Sequence, residues 1–136
     1  MDRVFLDANV LFSAAWPAAP RDLHRLWALP DVDLLTTVYA IREADRNLSE
    51  SAQRTRLFRL VQRMQIVDEP EPAALPVVLP AKDAPILLAA IQSKATHLLT
   101  GDRQHFGQCF GHVVGGVLVL RPSEYLKRHL AAKDRQ

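Results

Sequence analysis

The sequence predicts an α/β domain, a doubly wound parallel sheet of about five strands flanked by helices. Three observations lead there. Short apolar runs alternate with segments of helical periodicity along the chain, the pattern that strands and crossover helices leave. The first run is apolar on both faces, which a strand requires only when helices cover both sides of its sheet. Finally, 136 residues with 49% hydrophobic and 24% charged side chains suffice to bury a core without staples. There are no repeats and no linker, so residues 1–136 read as a single domain.

The first strand is expected within residues 3–13, RVFLDANVLFS, where Val4, Phe5, Leu6, Val10, Leu11 and Phe12 make the apolar run. Asp7 sits inside it. Aspartate is depleted in strands and costly to bury unpaired, so it is ion-paired with a buried Arg, marks the strand end, or is a metal or catalytic carboxylate. In extended structure Asp7 and Asn9 share one face. Ala14, Ala15, Pro17, Ala18 and Ala19 imitate a signal-peptide cleavage region, but Asp7 in the would-be apolar segment argues against export. No window reaches the roughly 18 apolar residues of a membrane span. The expected location is cytoplasmic, without membrane association.

Pro17 and Pro20 close a loop, and residues 21–29 carry Leu23, Leu26 and Trp27 at helical spacing before Pro30. Residues 33–36, DLLT, read as a second strand, with Thr36 or Thr37 capping a helix over 38–48. Ser49 is expected to cap the next helix, over 50–64. Its apolar stripe is Leu57, Leu60, Val61 and Met64, and its basic face of Arg54, Arg56, Arg59 and Arg63 reads as solvated surface. Residues 65–68 form a short third strand. The stretch 69–82 holds four prolines and cannot be regular helix. Asp83 opens a strongly apolar helix to Ala95, residues 97–100, HLLT, make a fourth strand, and Gly101-Asp102 ends it. A fifth strand lies within 113–120, interrupted by Gly115-Gly116. Pro122 starts the last helix, with Tyr125, Leu126 and Leu130 facing inward.

Charge and cysteine content narrow the function classes. A net charge of +2 and a pI near 9.0 permit an acidic partner such as nucleic acid without arguing for one. The lone Cys109 excludes an internal disulfide framework and a Cys-rich zinc site, fits a reducing compartment, and reads as a buried thiol.

The acids are more informative. In a doubly wound sheet, the carboxyl ends of the strands and the amino ends of the following helices lie on one edge, where sites form. Asp7 falls near the end of the first strand, Glu43 in the second turn of the helix after strand two, Asp83 at the start of the helix after strand three, and Asp102 just past strand four. Four acids from four segments thus converge. Such a cluster is unfavourable unless divalent cations occupy it, and oxygen ligands suit Mg²⁺ or Mn²⁺. Each acid also has a structural reading: Asp83 and Asp102 as helix caps, Glu43 as a surface charge. Asp45 rivals Glu43, since Val38, Ile41, Asp45 and Leu48 fall on one stripe, but Glu43 is preferred.

The segments LDANVL, IREADRNL, KDAPILLAA and HLLTGDRQHF, in this order and spacing, resemble the PIN-domain family of nucleases over roughly residues 3–106. The resemblance implies a doubly wound parallel sheet. It also implies that Asp7, Glu43, Asp83 and Asp102 bind one or two Mg²⁺ or Mn²⁺ ions that hydrolyse a phosphodiester, usually in RNA. Asn9 and Thr100 would support the site, Arg103 is a candidate for phosphate contact, and His105 is another, although a surface histidine is the preferred reading for it. Many bacterial members are VapC-type toxins. The expected partners are therefore an RNA substrate, an antitoxin protein and a second copy in a homodimer.

Three function classes follow. A metal-dependent ribonuclease leads. An Asp-based phosphatase wants a second aspartate two residues after the first, where this chain has Asn9. A nucleic-acid or protein-binding module without turnover would have no need of four intact acids.

Overall fold

The computed structural model describes residues 1–16 and 21–134, so the loop expected at Pro17 and Pro20 lies outside the described residues. Six strands form one sheet: β1 (Asp2–Leu6), β2 (Val32–Thr36), β3 (Gln65–Ile66), β4 (His97–Leu99), β5 (Val113–Val114) and β6 (Val117–Leu120). Their order is β3-β2-β1-β4-β6-β5, parallel except for the β5/β6 pair. The chain winds outward from β1 through β2 and β3, then returns to lay β4 against the other side of β1. The order therefore reverses between β1 and β4, where a crevice opens at the strands' carboxyl ends.

The fifth strand of the sequence reading is a hairpin. Gly115 and Gly116 have φ of +57° and +86°, a region open to glycine, and they turn the run back so that Val113 pairs with Leu118 and Val114 with Val117. Hence the sheet has six strands and one antiparallel edge.

The first apolar run is likewise two elements. β1 ends at Leu6, and α1 (Ala8–Ala14) begins at once, with Asp7 as its extended N-cap (φ −69°, ψ 160°) accepting a hydrogen bond from Ala8 N. An aspartate favours a helix cap over a strand interior, and Val10, Leu11 and Ala14 are spaced to bury one helix face. Val4, Phe5 and Leu6 have no exposed surface, so β1 is the central strand the sequence suggests.

The remaining helices are α2 (Arg21–His24), continued as a 3₁₀ turn over Arg25–Ala28, α3 (Val38–Arg46), α4 (Ser51–Val61), α5 (Ala84–Gln92), α6 (Arg103–Phe106) and α7 (Pro122–Asp134). Thr37 caps α3 through Ala40 N. The N-cap of α4 is Glu50 rather than Ser49, its N–H donating to the buried Gln53 Oε1 at 3.3 Å. Leu130 of α7 is 37% exposed, while Tyr125 and Leu126 are buried. Cys109 is buried. No helix of the described residues is long and apolar enough to cross a membrane.

The basic face of α4 and of the turn after it is more than solvated charge. Arg54 Nη2 donates to Leu48 O at 3.0 Å, Arg56 Nη1 to Ala15 O at 2.8 Å and Arg63 Nη2 to Trp27 O at 2.8 Å. Three guanidiniums thus satisfy carbonyls at the ends of earlier helical segments, groups that helices leave orphaned. The Pro-rich stretch 69–82 is also tied down. Glu71 N donates to Gln92 Oε1 and Gln92 Nε2 to Glu71 O (2.9 and 2.7 Å), and the Tyr39 hydroxyl donates to Lys82 O at 2.7 Å.

The two hairpin glycines separate strain from crowding. A Cβ on Gly115 would lie 2.6 Å from Ile91 Cδ1, whereas one on Gly116 meets nothing within 4 Å. Gly116→Ala should cost only the left-handed strain of about 1–2 kcal/mol, and Gly115→Ala should cost more because Ile91 must also repack. Equal denaturation midpoints for the two variants would contradict this.

Candidate active site

Burying a carboxylate is tolerable only when donors surround it, and Asp7, 4% exposed, has three. Oδ1 accepts from Ala8 N at 2.6 Å, and Oδ2 from Thr100 Oγ1 at 2.9 Å and from Asn9 Nδ2 at 3.2 Å. Thr100, fully buried, also accepts from Asn9 Nδ2 at 3.0 Å and from Asp102 N at 3.1 Å. Its one donor and two acceptor positions are all in use. Asn9 Oδ1 accepts from Gly101 N at 2.8 Å. One network therefore spans the ends of β1 and β4. The expected arrangement differed: Asn9 reaches Asp7 from the first turn of α1, not along a strand face, and the Thr100 side chain serves Asp7 as well as the Asp102 backbone.

A cleft of about 380 Å³ opens over this network, lined by Asp7, Glu43, Asp83 and Asp102 together with Tyr39 and Lys82. Glu43 projects from α3 and pairs with Arg46 at 3.3 Å. Asp45 points elsewhere, 3.5 Å from Arg54. Asp83 is the N-cap residue of α5, but its side chain makes no capping hydrogen bond, so the cap function weighed for it from sequence is absent. Asp102 does cap α6, accepting from Gln104 N and His105 N at 3.1 and 3.0 Å.

His105 is not a surface histidine. Its Nδ1 lies 2.8 Å from Asp83 Oδ2 and 2.9 Å from Asp102 Oδ2, with its side chain 23% exposed. Both contacts have ion-pair distance without hydrogen-bond alignment, which leaves Asp83 Oδ2 a buried oxygen lacking a bonded donor. One ligand atom each from Asp83, Asp102 and His105 falls within 4.8 Å of the others. Arg103 is exposed at the start of α6 and lies outside the cleft lining.

The electrostatics follow from this crowding. Burial, aided by the charges of Asp83 and Asp102, pushes the Asp7 carboxyl up to about 6 despite the Thr100 and Ala8 donors. Burial also raises Asp83, with the His105 and Lys82 charges opposing. The Tyr39 hydroxyl is raised by its burial and by Glu43. Sequence reading missed Tyr39 and Lys82, although Tyr39 stands one helical turn before Glu43 and Lys82 precedes Asp83. Phe12, assigned to the core, lines the cleft too. The tight group of Asp83, Asp102 and His105, in a cleft that Asp7 and Glu43 also line, is a donor set that fits a divalent cation, the carboxylates suiting a hard one.

Because Asp7 binds its proton more tightly folded than unfolded, the folded state holds more protons between pH 6 and the ordinary carboxylate range near 3.8. Its charge therefore costs stability above pH 6, and the loss is recovered as pH falls through that window. Asp7→Asn in chelator should raise stability at pH 7.5 by about 1–2 kcal/mol, the removed charge being partly offset by the stranded Asn9 amide. The gain should shrink at pH 5. Thermal melts at both pH values check this, and a loss of stability at pH 7.5 contradicts it.

Residues 3–104 match the sequence model of the PIN domain. Among solved structures the fold is similar to that of a chain in VapBC2 from Rickettsia felis bound to a DNA fragment from its promoter. That chain is 14% identical with a TM-score of 0.65, the match covering 88% of this chain and 98% of that one. It is similar as well to a chain of FitAcB from Neisseria gonorrhoeae, 19% identical with a TM-score of 0.51, again covering 88% and 98%. No curated protein matches the sequence. At these identities the structural likeness concerns the fold alone, and membership rests on the sequence match, which spans most of the chain. The chain belongs to the PIN-domain family, whose members are generally nucleases.

Proposed function

We propose that this protein is a Mg²⁺- or Mn²⁺-dependent endoribonuclease, with Asp7, Glu43, Asp83 and Asp102 as metal ligands, and that it is the toxin of a toxin–antitoxin pair. The observation that carries the reading is the convergence of four carboxylates from four separate segments in one cleft. The toxin role rests on the family and on the likeness in fold to VapBC2 and FitAcB chains. It implies an antitoxin partner.

Bound in the cleft, a hard divalent ion supplies Lewis acidity toward water and charge neutralisation toward phosphate. The chain does the rest. Thr100 and Asn9 hold the Asp7 carboxylate in one orientation, so that its position is fixed before any ligand arrives. Asp83 contributes Oδ2, a buried oxygen whose neighbour His105 Nδ1 lies at 2.8 Å without hydrogen-bond alignment. Asp102 uses Oδ1 for the α6 cap and leaves Oδ2 directed at His105 and the cleft. Lys82 places a cation at the cleft wall, where a phosphate can pair with it. No serine or cysteine nucleophile is required.

Cleavage of single-stranded RNA by the purified protein should need Mg²⁺ or Mn²⁺ and stop on adding chelator. Chelator-resistant cleavage would refute the metal role, and absence of cleavage in both metals would favour a silent binding module.

A second expectation concerns Asp83. Because its side chain caps nothing, both Asp83→Asn and Asp83→Ala should hold stability within about 0.5 kcal/mol of wild type or raise it. Each should lower metal-dependent cleavage by about 100-fold or more and weaken Mn²⁺ binding in a calorimetric titration. Near-normal cleavage by Asp83→Asn would remove Asp83 from the ligand set.

A further inference from the structure

Beyond the acids, α1 contributes Ala8, Asn9 and Phe12 to the cleft wall. Phe12 lines the same cleft as the four carboxylates, and Trp16, one helical turn later, packs edge-to-face on it with ring centroids 5.7 Å apart and planes at 68°. Trp16 is 41% exposed, although a tryptophan this large is ordinarily well covered. The other tryptophan, Trp27, is 8% exposed and donates from Nε1 to Leu60 O. Beside Trp16, the Arg56 guanidinium is fixed by its bond to Ala15 O at 2.8 Å. Phe12 thus joins the acids to Trp16, and the Arg56 guanidinium is held at the carbonyl of the residue before Trp16.

From this juxtaposition we propose that Phe12 and Trp16 form a base-stacking platform for an unpaired strand of nucleic acid that leads away from the bond cleaved in the acidic cleft, with Trp16 stacking on a base and Arg56 facing the sugar-phosphate backbone. The proposal rests on the nuclease reading for its direction, and it narrows the substrate to single strands. Bases inside a duplex are already stacked on each other, so they cannot lie on a side chain, whereas an unpaired base exposes a face to any aromatic ring. Stacking is indifferent to base identity, and the arrangement therefore predicts a preference for strandedness over sequence. A peptide partner could use the apolar rings, but the guanidinium held at Ala15 O, next to Trp16 in the chain, favours a polyanion.

The test uses tryptophan emission, because only Trp16 is accessible. The wild-type chain in Mg²⁺ is titrated with a ten-nucleotide single strand as RNA and as DNA, the matching duplex, and an abasic strand of equal phosphate number. Cleavage kinetics are measured on the RNA in parallel. The base-bearing single strands should quench the emission, the duplex and abasic strand should not, and quenching should vanish in Trp16→Phe, where Trp27 alone emits. Trp16→Ala should raise KM by about five- to tenfold, the low end for losing one stacked base, with the smaller part of the effect in kcat, and Trp16→Phe should recover part of the loss. Equal quenching by the abasic strand, or a KM within twofold of wild type in Trp16→Ala, overturns the platform while Mg²⁺-dependent cleavage still stands. Selective quenching by base-bearing strands with no cleavage in Mg²⁺ or Mn²⁺ upholds the platform and overturns the nuclease reading instead.

Discussion

A carboxylate that is 4% exposed must be given donors, and Asp7 takes its most consequential one from Thr100, a residue 93 positions away. The hydroxyl that donates to Asp7 also accepts from Asn9 and from the Asp102 backbone. The end of β1, the first turn of α1 and the turn after β4 are thereby bound into one unit. A neutral hydrogen bond contributes about 1 kcal/mol net. Its loss here would cost more, because it would leave a buried charge short of a donor and free the turn that carries Asp102.

The sheet order makes this contact available. β1 and β4 are adjacent because the chain reverses direction of travel across the sheet between them, and Asp7 N extends the pairing by donating to Leu99 O at 3.1 Å. The helices that complete the cleft are positioned by the α4 arginines and the Tyr39 hydroxyl. Arg54 and Arg56 tie α4 to the ends of α3 and α1, and Tyr39 fixes the backbone of Lys82 one residue before Asp83. Each of these bonds fills a carbonyl that would otherwise need water. They set where the cleft walls stand without touching its acids.

Much of this was legible in the sequence. Strand and helix alternation follows from periodicity, which is local and therefore readable, and the common edge follows from the handedness of crossovers. Boundaries were less so. The run 3–13 merges β1 and α1 because an apolar stretch buried in a strand and one buried in a helix look alike over ten residues, and only the cap chemistry of Asp7 separates them. The hairpin at 113–120 had its signal in Gly115-Gly116. The inward position of His105 and the capping use of the arginines had none, since a cationic side chain three residues from an acid is equally compatible with solvent. Phe12 and Trp16 were hidden for a different reason. An apolar residue at helical spacing reads as core, and only the structure shows which ones stop at the surface.

The four acids are neutralised unequally, and at Asp7 the deficit adds to the cost of burial. Glu43 has Arg46 at 3.3 Å, and Asp83 and Asp102 share the His105 ring at 2.8 and 2.9 Å. Among the described residues Asp7 has no ion pair, only uncharged donors. Burial is the largest influence on its carboxyl, and although the Thr100 and Ala8 hydrogen bonds outweigh the repulsion from Asp83 and Asp102, they do not offset burial. Neutralising Asp7 from within the chain would require a lysine or arginine in the cleft floor, and that side chain would fill the space a substrate phosphate needs. An external cation has no such cost. The arrangement leaves the Asp7 charge buried without an ionic partner among the described residues, a deficit that the cation of the proposed function would relieve.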